Sequence, residues 1–393
     1  MHIVYVSREY PPALRMGGIA AYLKETAEAL VRRGHQVTVV CAHDDTTKEV
    51  DYVDNGVRVI RLSGGDFLTS AEQRRNPLLK FREIYRFHSY RRKILKTIRS
   101  LPKVDIIEAG EYGAEAFYLR NIGTPVCIRL HTATLLDRDT VGLKKFQLSK
   151  IHNWFTGKKE LKLLPEFSHI TSCSKALADW TEKHVPGLSP EIKVIFNPID
   201  LSKWQRKEIP CVENTVLYAG TVAESKGVGD LVEACAKLHE EGVPVKLSIA
   251  GKMGEYGLSL REECSRNGYT WCEFLGHISR EQLQQHYAES KVSCFPSWWE
   301  ALGMVVLESM AIGNVTVGSR NGGMAEVITD GKDGFLVAPH DPDELAKVLR
   351  HALDMSGDEV AAMQREALST IQTRFSTDVI VSQLETYYSS LLP

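Results

Sequence analysis

The fold of this chain is decided by residues 3–42, IVYVSREYPPALRMGGIAAYLKETAEALVRRGHQVTVVCA. The apolar run 3–7 is typical of a buried strand, and a loop rich in Pro and Gly separates it from a helical pattern over roughly 19–33. Gly34 ends that pattern, and the apolar run 36–42 predicts the next strand. Near-continuous apolar strands joined by a helix indicate a parallel sheet covered on both faces.

The same alternation continues and then starts again near TVLYAG (215–220). A chain of 393 residues is also longer than one ordinary core requires. We therefore expect an α/β protein of two doubly wound, Rossmann-like domains, one over 1–197 and one over 198–375. An amphipathic helix at about 376–393 is expected to return to the first domain. Such sheets bind ligands at the carboxyl ends of their strands, which predicts a cleft between the two sets of strand ends.

Composition indicates a soluble globular protein, with 43% hydrophobic and 25% charged residues. No apolar run approaches the roughly 20 residues that a membrane span needs, and no secretory leader is visible. The eight cysteines are scattered and form no CxxC pair, so neither a zinc site nor a disulfide framework is indicated. These features predict a cytoplasmic protein, with peripheral attachment to the inner face of the membrane as an option.

Charge is divided unevenly along the chain. Residues 1–197 carry 31 Lys and Arg against 22 Asp and Glu, while the remainder carries 17 against 28, giving net charges of +9 and −11. Segment 74–99 concentrates the basic charge, with ten Lys or Arg and one acid among apolar side chains. It reads equally well as an amphipathic helix on an anionic membrane surface or as a solvated helix docked on the first domain. Nucleic acid is disfavoured because no binding motif accompanies the charge.

Three further positions are candidates on residue type and place. Lys226 follows a predicted strand and precedes a helix, where an ammonium and free amides favour a diphosphate, although a solvated loop lysine is the more frequent case. Gly17 and Gly18 occupy the equivalent turn of the first domain, where glycine lets the backbone approach a ligand closely. A lone histidine is more often structural than catalytic, but His131 ends a predicted strand at the sheet edge that faces the expected cleft, and this position strengthens the case for a functional role.

Residues 137–139, DRD, resemble a DxD metal-binding motif. The motif is short and frequent by chance, and no acidic cluster accompanies it to complete a metal site. We interpret it as a coincidence and predict no metal site.

Residues 296–308, PSWWEALGMVVLE, place two glutamates in apolar surroundings, where a carboxylate is costly without a partner. A strand is predicted to end at Pro296, a loop follows, and a helix starts at Gly303. The free amides at that helix end favour phosphate or hydroxyl oxygens, and Glu300 and Glu308 are acceptors when ionised. This combination suits a ligand that carries both phosphates and hydroxyls, as a nucleotide sugar does.

With these motifs the sequence resembles the retaining glycosyltransferases of family 4, which have the GT-B fold. Glu300 and Glu308 match the family's E-x7-E signature, and SRNGGMAEVITDGKDGFLVAP (319–339) is similar to its downstream glycine-rich block. The first-domain stretch that contains Gly17 and Gly18 also matches. The resemblance covers essentially the whole chain and is strongest over 215–340.

The resemblance implies a role for each matched position. Glu308 would accept hydrogen bonds from the ribose hydroxyls, Glu300 would contact the transferred sugar near the reacting centre, and Lys226 would neutralise the leaving diphosphate. His131 would lie beside the donor sugar. The remaining implied donor contacts are the backbone of Gly17 and Gly18, the amides of Leu302, Gly303, Met304 and Val305, and the base-binding loop at His277 and Ile278.

One position departs from the family pattern. The family usually has Gly-Arg where this chain has Gly220-Thr221, so the bidentate contact of an arginine with the diphosphate is lost. From position alone, Lys252 or Arg320 could supply the second charge. The departure puts donor affinity in doubt rather than family membership.

The function so predicted is metal-independent transfer of a hexosyl or N-acetylhexosaminyl group, with retention, from a UDP- or GDP-linked sugar to an acceptor hydroxyl. No further cofactor is expected, and the acceptor would be a saccharide, a lipid-linked intermediate or a small molecule of glycan biosynthesis. A GT-B epimerase or phosphorylase is the rival enzyme. A non-catalytic nucleotide-sugar-binding subunit is the rival from another class, made conceivable by Thr221.

Overall fold

The structure is a computed structural model that describes residues 1–14, 17–45, 47–65, 77–136, 151–189, 191–207 and 209–392. The chain forms two compact units. The first unit comprises Met1–Pro198 together with Thr377–Pro393, and the second comprises Ile199–Ser376. The DRD motif at 137–139 and the first three residues of segment 74–99 lie outside the described residues.

The first unit is built on one sheet, in the order β3-β4-β2-β1-β5-β6-β7-β8. All neighbouring strands are parallel except β3 and β4. The strands are β1 (His2–Val6), β2 (Gln36–Ala42), β3 (Val50–Asp54), β4 (Val57–Leu62), β5 (Ile106–Gly110), β6 (Val126–Leu130), β7 (His169–Ser172) and β8 (Ile192–Val194).

The antiparallel hairpin of β3 and β4 was not anticipated, because every strand of this half was expected to be parallel. Its turn is Asn55-Gly56, and both residues have positive φ, 48° and 84°. An Asn-Gly pair between alternating apolar residues is a strong hairpin signal. The sequence DYVDNGVRV therefore contained the information that the edge strand is antiparallel.

The helices of the first unit cover the sheet. They are α1 (Gly18–Arg32), α2 (Pro77–Ser100), α3 (Ile151–Leu163) and α4 (Lys175–His184), with a kinked 3₁₀ segment at Tyr112–Tyr118. Buried residues of α1, among them Leu30, share a core with Ile3 and Val39 of the sheet.

The second unit has a six-stranded, fully parallel sheet in the order β11-β10-β9-β12-β13-β14. This is the 3-2-1-4-5-6 order of a dinucleotide-binding sheet. The strands are β9 (Val212–Ala219), β10 (Lys246–Ala250), β11 (Cys272–Gly276), β12 (Ser290–Phe295), β13 (Val315–Ser319) and β14 (Phe335–Val337). The helices are α5 (Val228–Glu240), α6 (Glu255–Arg266), α7 (Arg280–Glu289), α8 (Met304–Ile312), α9 (Met324–Val327), α10 (Pro342–Asp354) and α11 (Gly357–Thr370).

The last helix, α12 (Thr377–Ser390), belongs to the first unit. Ile380 and Leu384 are fully buried in the same core as Ile3. On its outer side, Arg33 at the end of α1 donates to Glu385 at 2.6 Å. The helix therefore completes the core of a sheet whose last strand, β8, ends 183 residues before the helix begins.

In each sheet the first three parallel strands are added towards one edge, and the fourth is added on the opposite side of the first. The direction in which the chain builds the sheet therefore reverses between the first and the fourth parallel strand. That point lies between β1 and β5 in the first unit and between β9 and β12 in the second. Open α/β sheets bind ligands outside the carboxyl ends of the strands at such a point. The loops at the carboxyl ends of the strands around these two points are therefore where the candidate residues are expected.

Candidate functional site

In the second unit, Glu300 lies in the loop from β12 to α8, on a backbone that two glycines support. The N–H of Gly323 donates to the carbonyl of Glu300 at 2.8 Å. A Cβ on Gly322 would lie 2.4 Å from that carbonyl oxygen, and one on Gly323 would lie 2.1 Å from the carbonyl of Ala301. Only glycine allows the loop after β13 to pack this closely on the Glu300 loop.

Lys226 and Glu300 form an ion pair at the winding reversal of the second sheet. Lys226 closes the short helical turn Glu224–Lys226 that follows β9, and Glu300 follows β12. The Ser297 hydroxyl donates to the same carboxylate oxygen at 3.3 Å. Gly227, with φ of 66°, lets this loop approach the carbonyl of Pro296, which a Cβ there would meet at 2.0 Å. The two residues predicted to act on the donor thus lie in contact with each other.

Trp298 joins the Glu300 loop to its neighbours. Its indole N–H donates to Asp230 of α5 at 2.9 Å, and its backbone N–H donates to the Ser225 carbonyl at the same distance. Its own carbonyl accepts from the Asn321 side chain at 2.7 Å. Its ring lies over His340, with 4.0 Å between the ring centroids. Trp298 thus connects four segments, which its place in the sequence did not indicate.

The helix that carries Glu308 has an open amino end. It begins at Met304, one residue later than expected, because Gly303 adopts the left-handed conformation with φ of 87° and precedes the helix. No side chain in the described part of the chain caps this end. Leu302 is buried, whereas Gly303, Met304 and Val305 are half-buried. Free N–H groups at a helix start bind anions, so these amides can receive phosphate or hydroxyl oxygens.

Glu308 is half-buried slightly more than one turn into the same helix. The hydroxyl of the fully buried Tyr287 lies 3.5 Å from the carbonyl of Val305 on that helix. After the edge strand β11, His277 is exposed and Ile278 is half-buried. These two residues follow a strand end, as a base-binding loop requires.

Thr221, Lys252 and Arg320 are in different situations. Thr221 and Lys252 are exposed on adjacent loops, and the N–H of Val222 donates to the Lys252 carbonyl at 3.0 Å. Arg320 already donates to Glu344 at 3.0 Å and to the carbonyl of Leu336 at 2.9 Å. Lys252 therefore keeps a side chain available beside Thr221, while Arg320 is held elsewhere.

In the first unit, His131 follows β6 and is only 7% exposed. Its ring meets Tyr22 edge-on, with 5.0 Å between the centroids, and it lines a small cavity with Ser7, Ile19 and Gly110. Burial, and to a lesser degree the Arg129 charge, lowers the pKa of His131 well below its ordinary value. The imidazole is therefore neutral at physiological pH, so one ring nitrogen can donate a hydrogen bond and the other can accept one.

The floor of this cavity includes a buried carboxylate. Glu108 accepts the hydroxyl of Tyr22 at 2.8 Å and that of Tyr388 at 2.7 Å. Burial raises the pKa of Glu108 above its ordinary value. Since Tyr388 belongs to α12, the last helix reaches the site-bearing edge of the first sheet.

Two more buried carboxylates hold the loop after β6, and sequence analysis missed both. Glu111 accepts the backbone N–H of His131, with its two oxygens at 2.9 and 3.0 Å. Glu160 of α3 accepts the backbone N–H of Thr134 at 2.9 Å and its hydroxyl at 2.7 Å. The only signal in the sequence was an acidic residue directly after an apolar strand, IIEAGE.

Gly17 and Gly18 lie at the amino end of α1. Both are exposed, Gly17 is the residue before the helix in an extended conformation, and no side chain caps it. A Cβ on Gly17 would meet nothing within 4 Å. Contacts among the described residues therefore do not require glycine at this helix end.

Within the described residues, no group of three or more His, Cys, Asp or Glu side chains is arranged to hold a metal ion. All eight cysteines are free thiols. Among the helices whose residues the structure describes, none is both long and apolar enough to cross a membrane.

Two family models match successive parts of the chain. The model described as Glycosyltransferase Family 4 matches residues 16–203, and the model described as Glycosyl transferases group 1 matches residues 202–369. With this coverage and the sheets described above, the chain belongs to the family 4 glycosyltransferases and has the GT-B fold.

Individual proteins agree with this assignment. The chain is 28% identical to the glycogen synthase of Mycobacterium tuberculosis, over 96% of this chain and 91% of that protein. The sucrose-phosphate synthase of Thermosynechococcus elongatus has a TM-score of 0.82 at 20% identity, covering 99% of this chain and 98% of that one. The Anabaena protein HepE, in complex with UDP-glucose, has a TM-score of 0.73 at 19% identity, covering 99% and 100%.

Proposed function

We propose that this glycosyltransferase moves a sugar from a nucleoside diphosphate sugar to an acceptor hydroxyl with retention of anomeric configuration and without a metal ion. The observation that carries the proposal is the Lys226–Glu300 ion pair beside the open amino end of α8. An ammonium, free backbone amides and carboxylate acceptors together match a ligand with a diphosphate between two sets of hydroxyls.

Each residue is then assigned to bind one part of the donor. Glu308 accepts the ribose hydroxyls, and the amides of Gly303 to Val305 receive phosphate and sugar oxygens. Lys226 faces the diphosphate, and Glu300 faces the transferred sugar. Charge that grows on the β-phosphate as the bond to the anomeric carbon breaks is stabilised by Lys226 and the amides. This stabilisation is the role that a divalent cation has in other transferases, and it supports metal independence.

The proton of the attacking hydroxyl needs an acceptor. The β-phosphate oxygen takes it in a front-face reaction, in which the acceptor attacks from the side that the diphosphate leaves. His131 is neutral, because its pKa is low, and contacts the donor sugar through a ring nitrogen. Glu300 is already bound by Lys226 and Ser297, which suits a hydrogen-bonding role better than that of a nucleophile.

A UDP-linked hexose or N-acetylhexosamine is the first donor to test, because HepE carries UDP-glucose in its solved structure. GDP-linked sugars come second. The proposed acceptor is a saccharide, a lipid-linked intermediate or a small hydroxyl compound of glycan biosynthesis.

The basic half supports an acceptor at an anionic membrane surface. On α2, Arg92, Lys96 and Arg99 are exposed, whereas Lys93 donates to Glu49. We propose that these exposed cations attract anionic lipid. Wild-type protein should sediment with vesicles of anionic lipid and not with neutral vesicles, and replacing the three residues by Gln should abolish the difference. Absence of wild-type binding would remove this part of the proposal.

The central experiment uses the purified full chain. Thermal stability is measured with UDP, GDP, ADP and their sugars, because a ligand that binds only the native state raises it. Transfer is then measured with an acceptor panel in the presence and absence of EDTA, and the anomeric configuration of the product is read by NMR. We expect one nucleotide series to stabilise the chain and one α-linked donor to give an α-linked product in EDTA.

Other outcomes separate the rivals. Binding without transfer favours a non-catalytic subunit. Release of free or epimerised sugar without an acceptor-derived product favours an epimerase, and an inverted product or loss of activity in EDTA contradicts the proposed mechanism.

A further inference from the structure

The loop that carries His131 is placed by acceptors from outside the loop. Glu111, directly after β5, takes the N–H groups of His131 and Thr132. Glu160 takes the N–H of Thr134 and also that of Gly113 at 2.6 Å. The loops after two neighbouring strands are therefore cross-linked by two buried carboxylates.

The imidazole of His131 has no comparable support of its own. Within the described residues, no hydrogen bond to either ring nitrogen is found, and the ring meets the edge of Tyr22. The position of the ring therefore depends on the backbone from which it projects. That backbone is fixed by a bidentate contact with Glu111, which is itself only 3% exposed.

We infer that Glu111 is a positioning residue for the transfer reaction, which fixes the His131 ring against the donor sugar through the backbone of residues 131–132. The inference rests on the proposed function, because the contact of His131 with the donor sugar is itself part of that proposal. When it is ionised, the Glu111 carboxylate accepts the backbone N–H groups of both His131 and Thr132. No other side chain of this length offers two negatively charged acceptor oxygens.

A purely structural role for Glu111 predicts different results, and the chain offers a matched control. Glu115 is equally buried, follows four residues later, and like Glu111 has a pKa that burial raises to about 7. Its electrostatic partners are Arg8 and Arg91 rather than the His131 loop. A variant of Glu115 therefore reproduces the loss of a buried carboxylate without the loss of the loop contact.

The test compares Glu111→Gln, Glu115→Gln, His131→Ala and the double variant Glu111→Gln/His131→Ala. We expect Glu111→Gln to lower kcat by about 10- to 100-fold, since a displacement near 1 Å can cost that much. Donor KM should stay within about threefold, and Glu115→Gln should keep kcat within the same margin. In the His131→Ala background, Glu111→Gln should cost nothing further, because residues that act through one another are not additive.

Three results would overturn the inference. They are an unchanged kcat in Glu111→Gln, an equal loss in Glu115→Gln, and the same fractional loss with and without His131.

A pH profile adds a readout that a structural role would not move. Among the described residues, the titratable groups near Glu111 are Glu160 and His131, whose backbone N–H Glu111 accepts. Wild-type kcat should fall as pH drops through about 7, because the protonated carboxyl accepts less well, and this limb should be missing in Glu111→Gln.

A second measurement does not depend on transfer activity, so the inference can fail separately from the proposed function. The imidazole signals of ¹³C-labelled histidine are recorded by NMR, and that of His131 is assigned by its loss in His131→Ala. It should shift in Glu111→Gln and stay in place in Glu115→Gln. An unmoved signal in Glu111→Gln contradicts the positioning role even if no donor or acceptor is found.

Discussion

Lys226 and Glu300, 74 positions apart in the chain, form an ion pair with 31% and 21% of their side chains exposed. They follow the two strands between which the second sheet reverses its winding. Each is assigned to a different part of the donor, so the pair holds both side chains in place before a donor arrives. Under the proposed function, a bound diphosphate would offer Lys226 a second anion, and the sugar hydroxyls would offer Glu300 new hydrogen-bond donors.

Replacing Lys226 with Met should weaken binding of a nucleoside diphosphate by about 10- to 100-fold, because a hydrogen bond to a charged group contributes about 1.5–3 kcal/mol. Binding of the nucleoside alone should not change. Calorimetry measures both, and Lys332→Met, which removes a surface pair with Glu366, is the control. Equal losses for the nucleoside and its diphosphate would contradict the assignment.

Lys252 and Arg320 should differ in their effect on the same ligand. Lys252 is exposed beside Thr221, so Lys252→Met should lower diphosphate affinity by roughly 3- to 10-fold and reduce its dependence on salt. Arg320→Met should leave the affinity unchanged, since Arg320 is engaged by Glu344 and the Leu336 carbonyl. A larger effect at Arg320 would reverse the choice between them.

Gly323→Ala should destabilise the protein and lower transfer. The new Cβ would lie 2.1 Å from the Ala301 carbonyl oxygen, although the backbone angles of Gly323, φ −70° and ψ −18°, suit alanine. Forced overpacking of this kind costs about 1–3 kcal/mol in the free energy of unfolding. Gly357→Ala is the matched control at another helix start, where a Cβ would meet nothing within 4 Å. Denaturant unfolding measures both, and similar values would refute the steric explanation.

Trp298→Phe should lower kcat more than it weakens nucleotide binding. The substitution keeps a ring over His340 but removes the indole N–H that donates to Asp230. The Glu300 loop then loses one of its four connections, and we expect a fall in kcat of about 3- to 10-fold, the usual scale for about 1 kcal/mol. Asp230→Asn, which keeps an acceptor oxygen for the indole, should have the smaller effect. The reverse order would argue against this contact.

Glu115 should make stability depend on pH in a defined direction. Its pKa is raised to about 7 in the folded protein, above the ordinary value of 4.5. The folded state therefore holds a proton that the unfolded state has released between these values, and wild-type stability falls as pH rises through this window. Relative to the wild type, Glu115→Gln should gain stability between about pH 4.5 and 7 and show a constant difference above it. Urea unfolding at several pH values tests this, and a constant difference throughout would disprove the shift.

Apolar runs and the Pro and Gly residues between them were sufficient to predict the parallel strands of both sheets, because a strand buried on both faces has a near-continuous apolar sequence. They were also sufficient to place Glu300, Lys226 and His131 after strands, where α/β sheets bind ligands. The antiparallel edge strand was missed although its Asn-Gly turn was visible. The start of α8 was misplaced by one residue, because a glycine before a helix and a glycine within its first turn look alike in sequence.

The residues that support the site were not predictable, for a physical reason. Glu111 and Glu160 are 49 positions apart, and a sequence does not show that their carboxylates meet the N–H groups of one loop. The same holds for Trp298, whose partners come from four segments. Expected contacts between the two units, including a cleft, stay predictions.

The sequence by itself determined the two α/β units, the family and the chemical types at the strand ends. These follow from local patterns, because strand burial, helix starts and glycine turns are set by neighbouring residues. Tertiary structure alone decided which charges meet. It paired Lys226 with Glu300 and Arg320 with Glu344, and it left Lys252 exposed. It also brought the Glu111 carboxylate to the backbone N–H of His131. A contact between distant residues depends on how strands and loops come together in space, which no local pattern encodes.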